Sequence, residues 1–394
     1  MTDKTGKNGT PNPTPNAAPE AAPENFIPAR RATAGERVLA LLRKNVVPIV
    51  FLIICTIGFQ YARIMWVFFA SDLVTRLARN SFLVISLIIP VLAGMGLNFG
   101  IVLGAMAGQF AALITYCWQI KGLAGFLAAC AISVPFAVLF GWLTAMLFNR
   151  AKGKEMITGL ILGFFANGIY QLVCLVFVGW IIPVSDKAML LPSGVGIVNT
   201  IELKIWQYSL DKMVVLRIPK ASLPGFLQWM GNINIPVVTL LIVAALCAFV
   251  VLLFKTKLGQ DFRAVGQNRH IAEIAGIKVD RVRTIAVIFS TVLAAWGQLI
   301  FLQNIGNLQV YGAHVQVGTF AVAALLIGGA TVSRATVSQA IIGTVLFHAL
   351  FIVSPLAGKN LMGSAQVGEY FRVFIAYGII GIALALHAWQ RSKK

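Results

Sequence analysis

The sequence predicts an all-α, polytopic membrane protein with about ten transmembrane helices. Two observations carry that prediction: 58% of the 394 residues are hydrophobic against only 11% charged, and the apolar residues fall in long runs bounded by charge. An ordinary soluble domain is about 45–50% apolar, so a water-soluble fold fails at the outset. A formal charge of +19 raises nucleic acid as a partner. The Lys and Arg, however, stand between apolar runs instead of forming a stripe with interleaved aromatics, so no nucleic-acid binding is expected.

From the N-terminus, residues 1–29 are rich in Pro, Asn, Ala and Thr, and cannot bury an apolar face. They lack the short apolar core and small-residue cleavage site of a secretory signal and are expected to be a disordered cytoplasmic tail. Arg30, Arg31, Arg37, Arg43 and Lys44 then form a positive cluster ahead of the first apolar run, which should hold the N-terminus inside.

A helix crossing roughly 30 Å of hydrocarbon at 1.5 Å per residue needs about 20 apolar residues. Runs that approach this length lie at 45–62, 81–97, 99–118, 123–148, 156–182, 235–255, 284–304, 315–332, 336–355 and 370–389. Ten crossings put both termini on one side. With the N-terminus inside, 21 of the 32 Lys and Arg fall inside and 11 outside, as the positive-inside rule requires.

Between the runs, segment 183–234 holds Pro183, Pro192, Pro219 and Pro224 with several aromatics, and is expected to fold back on the outer surface. Residues 71–80 place Leu73, Val74 and Leu77 on one helical face and Asp72, Arg76 and Arg79 on another, the pattern of a short helix lying flat at the outer interface. Gly96, Gly100, Gly104 and Gly108 recur every four residues and on a continuous helix would line a groove for close helix packing; Gly159 and Gly163 repeat the spacing. Asn98 interrupts that run. It either caps a helix restarting at Phe99 inside the membrane or is one buried amide in an unbroken helix. The five cysteines all lie in apolar runs without a CxxC pair and are expected to be packing residues, with no metal site.

The longest internal cytoplasmic loop, 255–283, has the most specific local pattern. Asn268 can cap a short helix from Arg269 to Ala275, and Gly276 can end it in a left-handed conformation. Ile271, Ile274 and Ala275 then share an apolar face, with Arg269, His270 and Glu273 on the polar side. A two-turn helix is too short to be stable alone in water, so its presence implies a surface that receives it, and the expected receiver is another protein.

The stretch GQDFRAVGQNRHIAEIAGI (259–277) resembles the coupling loop of permeases in binding-protein-dependent ABC importers of the ribose, nucleoside and branched-chain amino acid group. The resemblance continues through VRTIAVIFS (282–290), LIGGA (326–330), NFGIVLGAMAGQ (98–109) and EMITGL (155–160), and covers most of residues 80–390. It implies the ABC importer permease fold over 30–394, with a coupling loop at 256–283 that docks in a cleft of a separate ATPase subunit. Gly259, Arg263, Gly266, Asn268, Arg269, Ile271, Glu273, Ala275 and Gly276 are its expected coupling residues. The resemblance also implies a second permease, the same chain or a paralogue, and a periplasmic or lipid-anchored solute-binding protein. ATP and Mg would sit on the ATPase, with no cofactor in this chain, and the location would be a bacterial inner membrane with both termini cytoplasmic. The sequence departs from the sugar permeases at GMGLNFG (94–100) and SRAT (333–336). The first departure leans toward nucleosides while LIGGA leans toward sugars, so both remain open.

No GxxxxGK(S/T) phosphate loop occurs, so energy from ATP must enter through a partner. An ion-coupled secondary transporter would ordinarily carry acids at midspan, whereas Asp72, Glu155 and Glu369 fall at span ends. His348 and His387 are lone histidines outside any HExxH pattern, so no catalytic residue is expected and an intramembrane enzyme is disfavoured; a passive channel would show uptake without nucleotide. Candidates for the solute path are Asn98, Gln109, Asn167, Gln171, Gln298, His314, Gln316 and Thr319, with Phe164 and Phe165 as stacking walls. Amides in place of charges suit a neutral, polyhydroxylated solute.

Overall fold

In a computed structural model of the chain, the described residues are 45–182, 184, 189–217 and 234–392. The expected tail 1–29, the basic cluster at 30–44, and Pro183, Pro219 and Pro224 lie outside them. Helix α1 (Val46–Ala62) turns at Arg63, whose φ is 50°, into α2 (Trp66–Ser86). A bend leads into α3 (Ile88–Leu92), where Pro90 has no N–H for the helical ladder. The chain leaves helical geometry from Ala93 to Gly100 before α4 (Ile101–Cys117). Next come α5 (Gly122–Arg150) and α6 (Glu155–Leu172), the latter ending in a π-type turn, Val173–Phe177.

Short strands β1 (Thr200–Glu202), β2 (Val215–Arg217) and β3 (Asn234–Pro236) precede α7 (Val237–Leu253), α8 (Lys257–Gln267) and α9 (Arg269–Ile274). Then follow α10 (Val279–Ile305), β4 (Asn307–Gln309), α11 (Ala313–Ile327), α12 (Val337–Met362) and α13 (Ala365–Ser392). Each of the ten sequence runs coincides with one of these helices or with a consecutive pair. Among the described residues, five helical stretches are long and apolar enough to cross a membrane: 66–92, 122–150, 155–177, 279–305 and 337–362. A sixth arises if α7 and α8, bent by 73° at their junction, are taken together. The molecule is therefore all-α and multi-pass. The expected count of ten is not reached by helices of bilayer length among the described residues: the apolar helices α1, α4 and α11 reach only about 25, 25 and 22 Å.

The core is built around α10, which packs against α5, α4 and α2. Its contact with α4 is close enough that a Cβ on Gly104 would stand 2.6 Å from the Thr291 carbonyl, and one on Gly108 would stand 2.6 Å from that of Ala295. Apolar burial does not drive helix association in lipid, so this backbone approach is a source of cohesion. At the far end of α10, β1 pairs antiparallel with β4, and the backbone N–H groups of Leu203 and Tyr208 donate to the Gly306 and Gln303 carbonyls. Residues 200–210 are thereby folded onto the α10–α11 turn, with Trp206 buried.

Three expectations are corrected. Residues 71–80 do not form a separate surface helix. They continue α2, because Asp72 pairs with Arg76 at 2.9 Å and Arg79 donates to Asn304 Oδ1 at 2.9 Å, so their polar groups are met by protein. Gly96 is not part of the glycine groove: its φ of 73° puts it in a turn between helices, and Gly100 stands just before α4. Asn98 caps nothing with its side chain; its Nδ2 reaches toward Ser290 Oγ at 3.5 Å. The break at 93–100 is no mid-membrane discontinuity. It is the reversal between α3 and α4, and it packs against Gly266 and Met156 at the coupling-loop end of the bundle.

Candidate functional site

The coupling loop folds as two helices where the sequence indicates one. In α8, Thr256 accepts from the Gly259 N–H at 3.4 Å, and Phe262 and Val265 turn inward as core residues. Gly259 and Gly266 lie where an added Cβ would run into the Leu253 and Leu92 carbonyls. They hold the loop against the ends of α7 and α3 and do not belong to an outward face. Arg263 is exposed, with its guanidinium 5.4 Å from the centre of the Phe254 ring.

Asn268, extended at φ −154°, caps α9 by accepting from the N–H groups of His270 and Ile271 at 3.0 and 3.2 Å. Gly276 ends it at φ 83° with open space around it, and the Ile277 N–H returns to the Ala272 carbonyl at 3.0 Å. Ala272 is buried against the body. Ile271 and Ile274 are 63% and 75% exposed, and Glu273 and Ala275 are exposed beside them. A capped and terminated short helix thus presents two large aliphatic side chains to the outside.

Arg269 departs from the expectation that it lies on the polar, outward side. It turns under the helix, where Nη2 donates to the Gly94 carbonyl at 3.2 Å and to Glu155 Oε1. The cause is Glu155, an acid in the first turn of α6 that is 4% exposed and must be met by donors. A second guanidinium, Arg283 from the start of α10, is fully buried, donating to the same oxygen at 2.7 Å and to the Phe148 carbonyl near the end of α5. One carboxylate thus joins the coupling helix, α6 and α10. The Gly94 carbonyl and the negative end of α5 face the surplus positive charge, while Arg283 Nε and Nη1 meet no acceptor. Sequence inspection leaves Glu155 as a span end. Its partners lie 114 and 128 residues away, and no local pattern announces them.

The candidate solute residues separate into two groups. Asn98, Gln109, Gln298 and His314 are buried in the core. Gln109 Nε2 reaches toward the Gln309 carbonyl at 3.5 Å, His314 Nε2 lies 2.9 Å from Asn167 Oδ1, and neither amide atom of Gln298 has a partner. Phe164, Phe165 and Gln316 are exposed, while Gln171 is half-buried. Phe164 and Thr319 meet in a groove of about 200 Å³ whose floor includes Gly159 and Gly163. The Thr319 hydroxyl donates to its own helix, to Val315, at 2.8 Å. Tyr170, which stacks edge-on against His314 at 4.8 Å, and Tyr311, which donates to the Ile197 carbonyl at 2.6 Å, are polar groups beside this region that the sequence did not single out. Burial raises the Tyr311 phenol above its ordinary value. Among the described residues, no group of three or more His, Cys, Asp or Glu gathers as metal ligands.

With this geometry in hand, comparison with known proteins is informative. The profile of a family described as "Branched-chain amino acid transport system / permease component" matches residues 69–384. A nucleoside ABC transporter permease of Lactococcus lactis subsp. cremoris is 33% identical over 168 residues, 42% of this chain and 46% of its own length. The ribose import permease of Bacillus subtilis is 31% identical over 155 residues, 39% of this chain and 46% of its own. The xylose transport system permease of Haemophilus influenzae is 23% identical over 349 residues, 82% of this chain and 89% of its own. The chain thus matches about half the length of the nucleoside and ribose permeases. No solved structure matches.

Proposed function

The chain belongs to the family of branched-chain amino acid transport system permease components, and from that premise we propose that it is the membrane-spanning subunit of an ATP-driven ABC importer for a small polar solute, a simple sugar or a nucleoside. The observation that carries the proposal is the capped helix α9, with Ile271 and Ile274 exposed and Arg269 anchored on Glu155. A separate ATPase receives that helix in a cleft, binds ATP and Mg, and moves it by closing.

Arg269 passes the displacement to the Gly94 turn and, through Glu155, to α6 and α10. Two permeases, this chain with a second copy or a paralogue, flank the solute path and alternate between outward and inward access. A periplasmic or lipid-anchored binding protein delivers the solute on the face opposite the coupling helix. The membrane is the bacterial inner membrane, with both termini cytoplasmic. The relatives named for nucleoside, ribose and xylose support a neutral, polyhydroxylated cargo, and the buried amides of Asn98, Gln109 and Gln298 suit it.

The test is co-purification with the cognate ATPase followed by ATP-driven uptake into proteoliposomes. Burying each isoleucine on a partner contributes about 1.5–3 kcal/mol. Ile271→Asp combined with Ile274→Asp should therefore weaken assembly by at least about tenfold and abolish uptake, with the isolated chain still folded. Unchanged assembly and uptake would remove the basis of the proposal.

A further inference from the structure

The end of α10 remote from the coupling helix borders a second polar site, which shares only Gln316 with the candidate solute residues. A cavity of about 140 Å³ lies between α2, α10, α11 and α12, about 27 Å along α10 from Arg283. Its polar lining includes Arg76, Arg79 and His348, and its apolar wall includes Phe301, Phe320 and Ala321.

The charges here are unequally satisfied. Arg76 is paired with Asp72, and nearby Arg372 lies over the Phe351 ring, donating to the Phe351 carbonyl at 3.0 Å and to Glu369 at 3.3 Å. Arg79 has no carboxylate partner among the described residues. Its Nη1 donates to Asn304, whose own amide is taken up by Asp211 at 2.5 Å, and its Nε, like that of Arg372, meets no acceptor. His348 is 6% exposed, lines the same cavity, and its Nδ1 has no partner. A guanidinium without a carboxylate partner and a buried imidazole against an aromatic wall are costly unless a ligand in the cavity meets them.

We propose that this cavity binds a phosphate oxyanion, with Arg79 and His348 as donors and the phenylalanines holding the apolar remainder of its carrier. The guanidinium supplies directional N–H groups to anionic oxygens. His348 donates from one ring nitrogen in the tautomer the anion selects. The oxyanion belongs either to a phospholipid headgroup, whose carbon part the phenylalanines hold, or to free phosphate, and the two present the same oxygens.

The experiment titrates the purified full-length chain in maltoside detergent with phosphatidylglycerol, with diacylglycerol of the same acyl chains, and with inorganic phosphate. Retained lipid is counted by native mass spectrometry and bound phosphate by radiolabel. Phosphatidylglycerol should be retained at least about tenfold more than diacylglycerol, and that preference should collapse in Arg79→Gln. Ala321→Leu, which fills the cavity while keeping every donor, should abolish it equally and answers the question if Arg79→Gln does not fold. Arg63→Gln, an exposed cation outside the cavity, should leave the preference intact. Displacement of the lipid by inorganic phosphate at equal concentration identifies free phosphate as the ligand, and failure to displace identifies the headgroup. Equal retention of the two lipids without phosphate binding, or a preference that survives both cavity variants, overturns the proposal and leaves water as the occupant.

Discussion

The two ends of α10 handle charge in opposite ways. Around Arg283, a buried carboxylate is shared by two guanidiniums while the aliphatic side chains of Ile271 and Ile274 face outward. Around Asn304, the contacts run from Arg79 through an amide to Asp211 and Thr239, and the nearby apolar residues Trp206 and Leu308 are covered. In the second arrangement the β1–β4 pair covers the end of the helix. The first is inverted, with ions inside and isoleucines outside. An exposed apolar pair on a helix pinned from beneath by ions suits the docking proposed for α9, because the pinning limits the entropy lost on docking.

The largest expected effect breaks the buried ions. Glu155→Gln leaves Arg283 without its counter-charge and should cost about 3–5 kcal/mol, visible as a large fall in the thermal midpoint of the detergent-solubilised chain. At the other end, Asp211→Asn keeps an acceptor for one neighbour, so about 1–3 kcal/mol is expected in the same assay. Equal losses at the two positions would erase the contrast between a shared ion and an amide-linked one.

Gly276→Ala should cost about 1 kcal/mol, solely from its positive φ, since nothing stands within 4 Å of the new methyl group. Smallest of all, Ile271→Ser with Ile274→Ser should change the isolated chain's stability by no more than about 0.5 kcal/mol per site. Leu302→Ala in the fully buried core should lose about 2–5 kcal/mol. A loss at the isoleucines comparable to that at Leu302 would mean they pack within this chain and are not held for a partner.

The cap and the stop of α9 were legible because their signals are local. An Asn that caps two N–H groups and a Gly at positive φ act within eight positions of each other, so Asn268 and Gly276 could be identified without tertiary context. Residues 71–80 misled for the complementary reason. Amphipathic spacing shows which residues share a face but not whether water or protein lies against that face, and Asn304, which receives Arg79, is 225 residues away. The glycine spacing was informative at Gly104 and Gly108, where α10 approaches, and uninformative at Gly96, where the same residue type serves a reversal of the chain.

The sequence by itself determined the membrane class, the positions of the apolar helices and the capped helix of the coupling loop, because hydropathy, cap chemistry and the glycine stop act over one or two turns. Only the tertiary structure decided that the break at Asn98 lies beside the coupling loop, that Arg269 points inward, and that Glu155 joins three helices. Those outcomes depend on which segments far apart in the chain share a buried charge, and a buried carboxylate takes whichever donors the packed helices bring to it.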